Sequence, residues 1–249
     1  MNALLLLLWL AVTYAILFLL RFTLAGKFQV IALLIFNRPR WGQIFFNALL
    51  LPGVIIHELS HFLMAALLGV RTGDINIFPH QDESGHRLGS VQIAKTDPLR
   101  ESLIGAAPML VATISLVALI RWQFPALFAP TISLADPLSV VKSVIAKLSL
   151  AQTWLWFYLI FAISNTMFTS KSDRRAWPFM LVLLILLAAV LYGLGVIKTI
   201  QQTAVAAVMA VITQLTATFS FTIALDLLIL AFFSASQAFL SWVTGKKVL

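Results

Sequence analysis

The sequence predicts an all-α polytopic membrane protein with about six transmembrane helices, seven possible, and a small β-hairpin or sheet after the second helix. Three observations carry that class. Of 249 residues, 61% are hydrophobic and 10% charged, where a soluble domain carries about 25% charged residues. The apolar residues fall in runs of roughly 20, the length a helix needs to cross the hydrocarbon layer. Only residues 71–100 are clearly polar, and parts of that stretch alternate in period two. Residues 1–249 therefore read as a single membrane domain. The absence of cysteine excludes disulfides, thiolate metal sites and a cysteine nucleophile. The net charge of +8 is spread between and after the apolar runs, which suits contact with the headgroups of a lipid bilayer; no basic run points to nucleic acid.

In chain order, residues 2–24 form the first span, and without a leading basic stretch or a small-residue cleavage site they are expected to be retained rather than removed. Residues 28–36 are apolar but too few for a helical crossing, so a strand or a membrane-dipping segment is expected before Asn37-Arg38-Pro39-Arg40. The second span is 44–69. In the polar insertion, Asp74-Ile75-Asn76-Ile77-Phe78 and Ser90-Val91-Gln92-Ile93-Ala94-Lys95 alternate, with turn residues from His80 to Gly85 between them. Such a hairpin caps the preceding helix at headgroup level and offers a strand edge to an extended peptide. His80 and His86 read as solvated loop residues. The third span, 101–120, opens on Gly105-Ala106-Ala107-Pro108, small residues that let another helix approach. Residues 122–138, with Pro125, Pro130 and Pro137, read as an irregular connection. Spans four and five are 145–168 and 177–197. The tail 202–242 would measure about 60 Å as one helix, too long for one crossing. Residues 217–241 are taken as the sixth span, with 200–216 an interfacial helix, a short extra span or a re-entrant piece.

The second span contains His57-Glu58-Leu59-Ser60-His61, an HExxH pattern. Positions four apart project from nearly one side of a helix, so His57 and His61 can offer two imidazole nitrogens to one metal ion. Glu58 sits beside that ion and off the ligand axis, placed to take a proton from water. Ionisable groups among Val54, Ile55, Ile56, Phe62 and Leu63 mark a functional site by default. A catalytic metal takes a third protein ligand, and Asp97, Glu101, Asp136, Asp173 and Asp226 are the acids near apolar segments. Two even-numbered spans bring their downstream ends to one membrane face, which favours Asp173; it reads equally as a helix-end carboxylate paired with Arg174 or Arg175.

HExxH in one span, a Gly/Pro small-residue motif opening the next, and Asn165 eight positions ahead of Asp173 together resemble the intramembrane zinc proteases of the site-2 protease family. The resemblance covers roughly residues 44–178, a metalloprotease core with the hairpin inserted at 71–100. It implies that His57, His61 and Asp173 bind one zinc ion per chain, that Glu58 is the catalytic base and that Asn165 contacts substrate. The substrate it implies is a membrane protein cleaved in or near a transmembrane helix. Phe168, Ser170 and Lys171 stand where the family motif favours proline, and Ser172-Asp173-Arg174 replaces its Leu-Asp-Gly ending. No appended recognition domain is expected, so substrate selection falls to the spans, the hairpin or a regulatory membrane partner. Two other functions fit the sequence: a zinc-dependent membrane scaffold or pseudoprotease, and an ion transporter using Asp226 between Leu225 and Leu227. Lys and Arg divide seven to seven across the expected faces, Arg71, Arg87, Lys95, Arg100, Lys171, Arg174 and Arg175 against Arg21, Lys27, Arg38, Arg40, Arg121, Lys142 and Lys198. Charge therefore sets no orientation, and it is the resemblance that implies a cytoplasmic active site.

Overall fold

The computed structural model describes residues 3–76, 80–82, 85–87, 89–125, 146–147, 150–170 and 172–246. Most of the Pro-rich connection expected at 122–138 lies outside these residues. Helix α1 (Ala3–Phe36) runs unbroken for 34 residues, so the strand or membrane-dipping segment expected at 28–36 is instead the last turns of this helix. The stretch contains no proline, and its one interior glycine, Gly26, lies in open space and imposes no turn. Asn37 ends the helix at φ 59°, a left-handed conformation that Asn tolerates better than most residues.

Pro39, whose missing N–H costs nothing at a helix start, opens α2 (Pro39–Leu49). Gly42 lets α2 sit directly on the Phe28 backbone of α1, where any Cβ would overlap the Phe28 carbonyl. The expected second span is broken: α2 meets α3 (Leu51–Leu67) at Leu50 with a bend of 63°. Pro52 lies in the first turn of α3 and supplies no N–H for α2 to continue into it. At its other end α3 closes with Gly69 at φ 68°, where Gly69 N–H donates to Ala66 O at 3.1 Å and Val70 N–H to Ala65 O at 2.8 Å. These are the paired bonds of a Schellman cap, which turns the chain sharply into the polar insertion.

The insertion holds two antiparallel pairs. β1 (Thr72–Asn76) pairs with β4 (Ser90–Ile93) in the register Thr72 to Ile93, Ile75 to Val91 and Asn76 to Ser90, with an irregularity between Thr72 and Ile75. β2 (His80–Asp82) pairs with β3 (Gly85–Arg87), so part of the stretch expected to turn is extended.

Helix α4 (Pro98–Gln123) starts at Asp97, whose carboxylate accepts from the Arg100 N–H at 3.0 Å. That bond holds the Asp97 carboxyl below its usual range and commits it to capping the helix. α5 (Ala151–Thr166) and α6 (Trp177–Gly193) are apolar helices of 16 and 17 residues. α7 (Val196–Thr244) is one helix of 49 residues, and the break expected near residue 217 is absent. No proline or glycine lies within it, and the Gln and Thr residues of its first third are compatible with a continuous helix.

Among the described residues, three helices are long and apolar enough to cross a membrane: Leu4–Phe36, Pro98–Gln123 and Ala206–Thr244. The bent α2–α3 pair makes a fourth if it is counted as one span. The protein is therefore read as a membrane protein, while six crossings do not follow from these lengths. Contacts between the first and last helices bear on the count. Tyr14 meets Phe219, Phe28 meets Phe233, Lys27 Nζ donates to Gln237 Oε1 at 2.9 Å, and Lys246 Nζ to Asn37 Oδ1 at 3.2 Å. Both positions rise together, so α1 and α7 run parallel, whereas six alternating spans would set the first and sixth antiparallel.

Leu17, Leu24, Leu50, Leu116, Ile120, Ile160 and Met167 form the buried centre. α6 contrasts with it: Leu181, Val182, Ile185, Leu186, Leu187 and Val190 are all exposed, an apolar surface suited to lipid.

Candidate metal centre

His57 and His61 project from one face of α3, their ring centroids 5.1 Å apart. Each ring is fixed through Nδ1, which lies 2.8 Å from a backbone carbonyl, Thr166 O for His57 and Ile104 O for His61. A carbonyl oxygen can only accept, so both Nδ1 atoms carry the proton and both Nε2 atoms present a lone pair. The Asp173 carboxylate faces those lone pairs, with Oδ1 3.5 Å from His61 Nε2 and Oδ2 4.0 Å from His57 Nε2. The three ligand atoms lie within 4.8 Å of one another, so His57, His61 and Asp173 could hold a metal ion. Ligands about 2.0 Å from a tetrahedral ion stand roughly 3.3 Å apart, and only small side-chain adjustments separate the observed spacing from that value.

Three non-local contacts bring these side chains together. Gly53 lies on the Ala162 backbone and the Thr166 hydroxyl, where any Cβ would overlap, so α3 and α5 pack backbone to backbone. His57 meets Thr166 one turn farther along both helices, which therefore run parallel and deliver the histidines and the end of α5 to one region. Gly105 lies on the Asp173 carbonyl with no room for a Cβ. The small-residue motif of α4, expected to admit another helix, thus also admits the turn that carries Asp173. Ser102 Oγ adds a hydrogen bond to Ala176 O at 2.9 Å, fixing the far end of the same turn.

Asp173 is held in its turn by Ser170, with Ser172 bonded to the Ser170 hydroxyl. After α5 ends at Thr166, Met167 to Ser170 are not helical, and the Ser170 N–H donates to Asp173 Oδ2 at 2.6 Å. The Asp173 N–H donates back to Ser170 Oγ at 3.2 Å, and the Ser170 and Ser172 hydroxyls share a bond of 2.7 Å. Arg174 donates through Nε to Ser170 O at 3.3 Å and steadies the turn, while the Asp173 carboxylate faces the two histidine rings.

The centre opens into a cavity of about 970 Å³ bounded by α3, β4, the start of α4, the segment from Thr166 to Arg175, and Arg21 of α1. Glu58 lines it and is 6% exposed. Gly89 covers Glu58 so closely that a Cβ there would stand 2.7 Å from Glu58 Cγ and 2.8 Å from Oε1. The base of the hairpin therefore reaches the carboxylate because residue 89 has no side chain.

The other acids divide. Glu101 lines the cavity, Asp97 caps α4, and Asp136 lies outside the described residues, as do the side chains of His80 and His86 on β2 and β3. Asn165 does not line the cavity: its Nδ2 donates to Phe161 O at 3.0 Å and to Asp226 Oδ1 and Oδ2 at 3.3 and 3.4 Å. It is the one expected site residue that the structure does not bring to the centre. Asp226 is bound there, whereas Thr222 turns back to its own helix at Thr218 O. The sequence suggests no site role for Arg21, Gly53, Gly89 or Ser170. Arg21 alone left a signal, as a charged residue amid the first apolar run. No family model, curated protein or solved structure matches this chain.

Proposed function

We propose that the protein is a multi-pass intramembrane zinc metalloprotease that hydrolyses peptide bonds in or near the transmembrane helices of membrane-protein substrates, with its centre near the cytoplasmic face. The observation that carries this reading is the meeting of two oriented imidazoles and the Asp173 carboxylate beside Glu58 on the wall of an open cavity. Two imidazole nitrogens and one carboxylate, with no thiol in the chain, form a donor set that suits zinc and leaves a coordination position for water. Bound zinc would acidify water toward a pKa of about 7 and polarise a carbonyl. His57, His61 and Asp173 would hold the ion, and the bonds to Thr166 O, Ile104 O and Ser170 N–H keep each of them oriented for it. Glu58 takes the proton of the attacking water and delivers it to the departing amine. A helical substrate hides its carbonyls in hydrogen bonds to its own backbone and must be extended first. Val91 and Ile93 of β4 line the cavity, and a substrate strand laid along β4 would be held open at the centre.

Glu58→Gln tests the reading most directly. Purified variant is expected to keep one zinc per chain and to lose cleavage by about 10²–10⁴-fold. Retained cleavage would remove Glu58 as the base. Wild-type protein that holds zinc, captures membrane helices and cleaves none of them would establish the scaffold instead.

A further inference from the structure

Arg21 lies near the middle of α1, on the face of Leu17, Leu20 and Leu24, which are at most 8% exposed. A guanidinium among apolar side chains is costly, cannot be discharged and needs an anion to face. α1 carries no acid, and Arg21 makes no hydrogen bond or ion pair with a described residue. Lys27, the other cation of α1, is bonded to Gln237.

Arg21 borders two cavities. One is the metal cavity; the other, of about 340 Å³, lies between α1 and α2 and includes Gln29, Gln43 and Asn47 in its wall. Those amides satisfy one another, Gln29 Nε2 to Gln43 Oε1 at 2.7 Å and Gln43 Nε2 to Asn47 Oδ1 at 2.9 Å, and no acid lines that second space. The anion must therefore come from the metal cavity. Three carboxylates line it, Asp173, Glu58 and Glu101, and none of them is paired with Arg21; Asp173 faces the imidazoles, and the amide of Asn165 is turned to Asp226.

We propose that Arg21 receives the oxygen of the scissile carbonyl as negative charge builds on it. This rests on the proteolytic reading. As water adds to the carbonyl carbon, the C–O π pair moves onto oxygen, and two guanidinium N–H donors meet it there; when the C–N bond breaks the pair returns and the amine leaves with the proton from Glu58. An anion held only at that stage accelerates turnover without tightening substrate.

The test uses purified full-length protein loaded with zinc, as wild type, Arg21→Gln and Arg21→Lys. Three quantities are read: zinc content, kcat and KM separately, and the affinity of a phosphinic peptide whose anionic oxygens mimic the charged carbonyl. Arg21→Gln is expected to keep one zinc per chain and a KM within about twofold, while kcat and phosphinate affinity each fall by about 10²–10³-fold; Arg21→Lys recovers part of both. An unchanged kcat, a loss carried by KM alone for substrates with acidic residues, or zinc lost from both variants overturns the assignment. Wild type that cleaves nothing sinks the proteolytic reading separately, and phosphinate affinity equal in wild type and Arg21→Gln sinks Arg21 whether or not cleavage occurs.

Discussion

Thr166 and Asn165 are neighbours on α5, yet they serve two different polar clusters. The Thr166 carbonyl fixes His57, and the cluster beyond it opens into a wide cavity shared with Glu58, Asp173 and the strand β4. The Asn165 amide meets Asp226 of α7 in a place where both residues are 1% exposed, beside the fully buried Thr218 and Thr222. Both clusters put a carboxylate and a polar partner into an apolar bundle. They differ in access. Around His57 and His61 the backbones of α3, α4 and α5 close in through Gly53 and Gly105, while the hairpin leaves room for water and a chain. Asn165 and Asp226 line neither the metal cavity nor the space between α1 and α2, and their bond joins α5 to α7. A polar residue in a span thus acquires chemistry from its surroundings, and a carboxylate without an approach serves packing.

The sharpest way to break the comparison is to remove the carboxylate on the open side. Asp173→Ala is expected to lower zinc affinity by more than roughly 100-fold, beyond what loss of a supporting contact costs, and to abolish cleavage. Zinc content measured by atomic absorption together with cleavage of a membrane substrate decides it; a variant that still carries one zinc per chain would show that Asp173 is not a ligand. A smaller effect is expected one layer out. Gly105→Ala places a methyl group against the Asp173 carbonyl, which must move, and the carboxylate with it. Zinc affinity should fall by about 10–100-fold with the fold intact by circular dichroism. Unchanged affinity would mean that the turn tolerates displacement and that the close approach of α4 is packing alone.

The same contrast explains what could be read in the chain. His57, Glu58 and His61 are legible because a four-residue spacing on a helix is a local geometric fact, whereas Asp173 is favoured by the course of two spans yet reads equally as a partner of Arg174 or Arg175 until the fold brings it to the histidines. The ends of α1 and α7 are not legible from length, since a helix without an interior proline can continue past the hydrocarbon edge. The role of Gly89 is invisible because Glu58 reaches it from 31 positions earlier in the chain. Asn165 shows the same limit from the other side. Its position relative to Asp173 fits the expected motif, but its direction is set by Asp226, 61 residues away, and no local pattern encodes that. Ser170 illustrates substitution of means: one backbone N–H and one hydroxyl arrange Asp173 where a proline-rich turn was expected.

The smallest effect belongs to the closed cluster, and it tests whether that cluster is closed in function as well. Asp226→Asn keeps the size of the side chain and its capacity to bond Asn165, exchanging a carboxylate for an amide. Zinc content and cleavage are expected to match wild type, and thermal unfolding in detergent to shift by no more than corresponds to about 1–2 kcal/mol, the upper range for a single hydrogen bond between helices in a membrane. A transporter reading predicts otherwise, because a relay built on Asp226 needs its exchangeable carboxyl group and would stop in this variant. Ion flux into vesicles that depends on Asp226, or cleavage that collapses when it becomes Asn, would make the two clusters one machine and end the distinction between them.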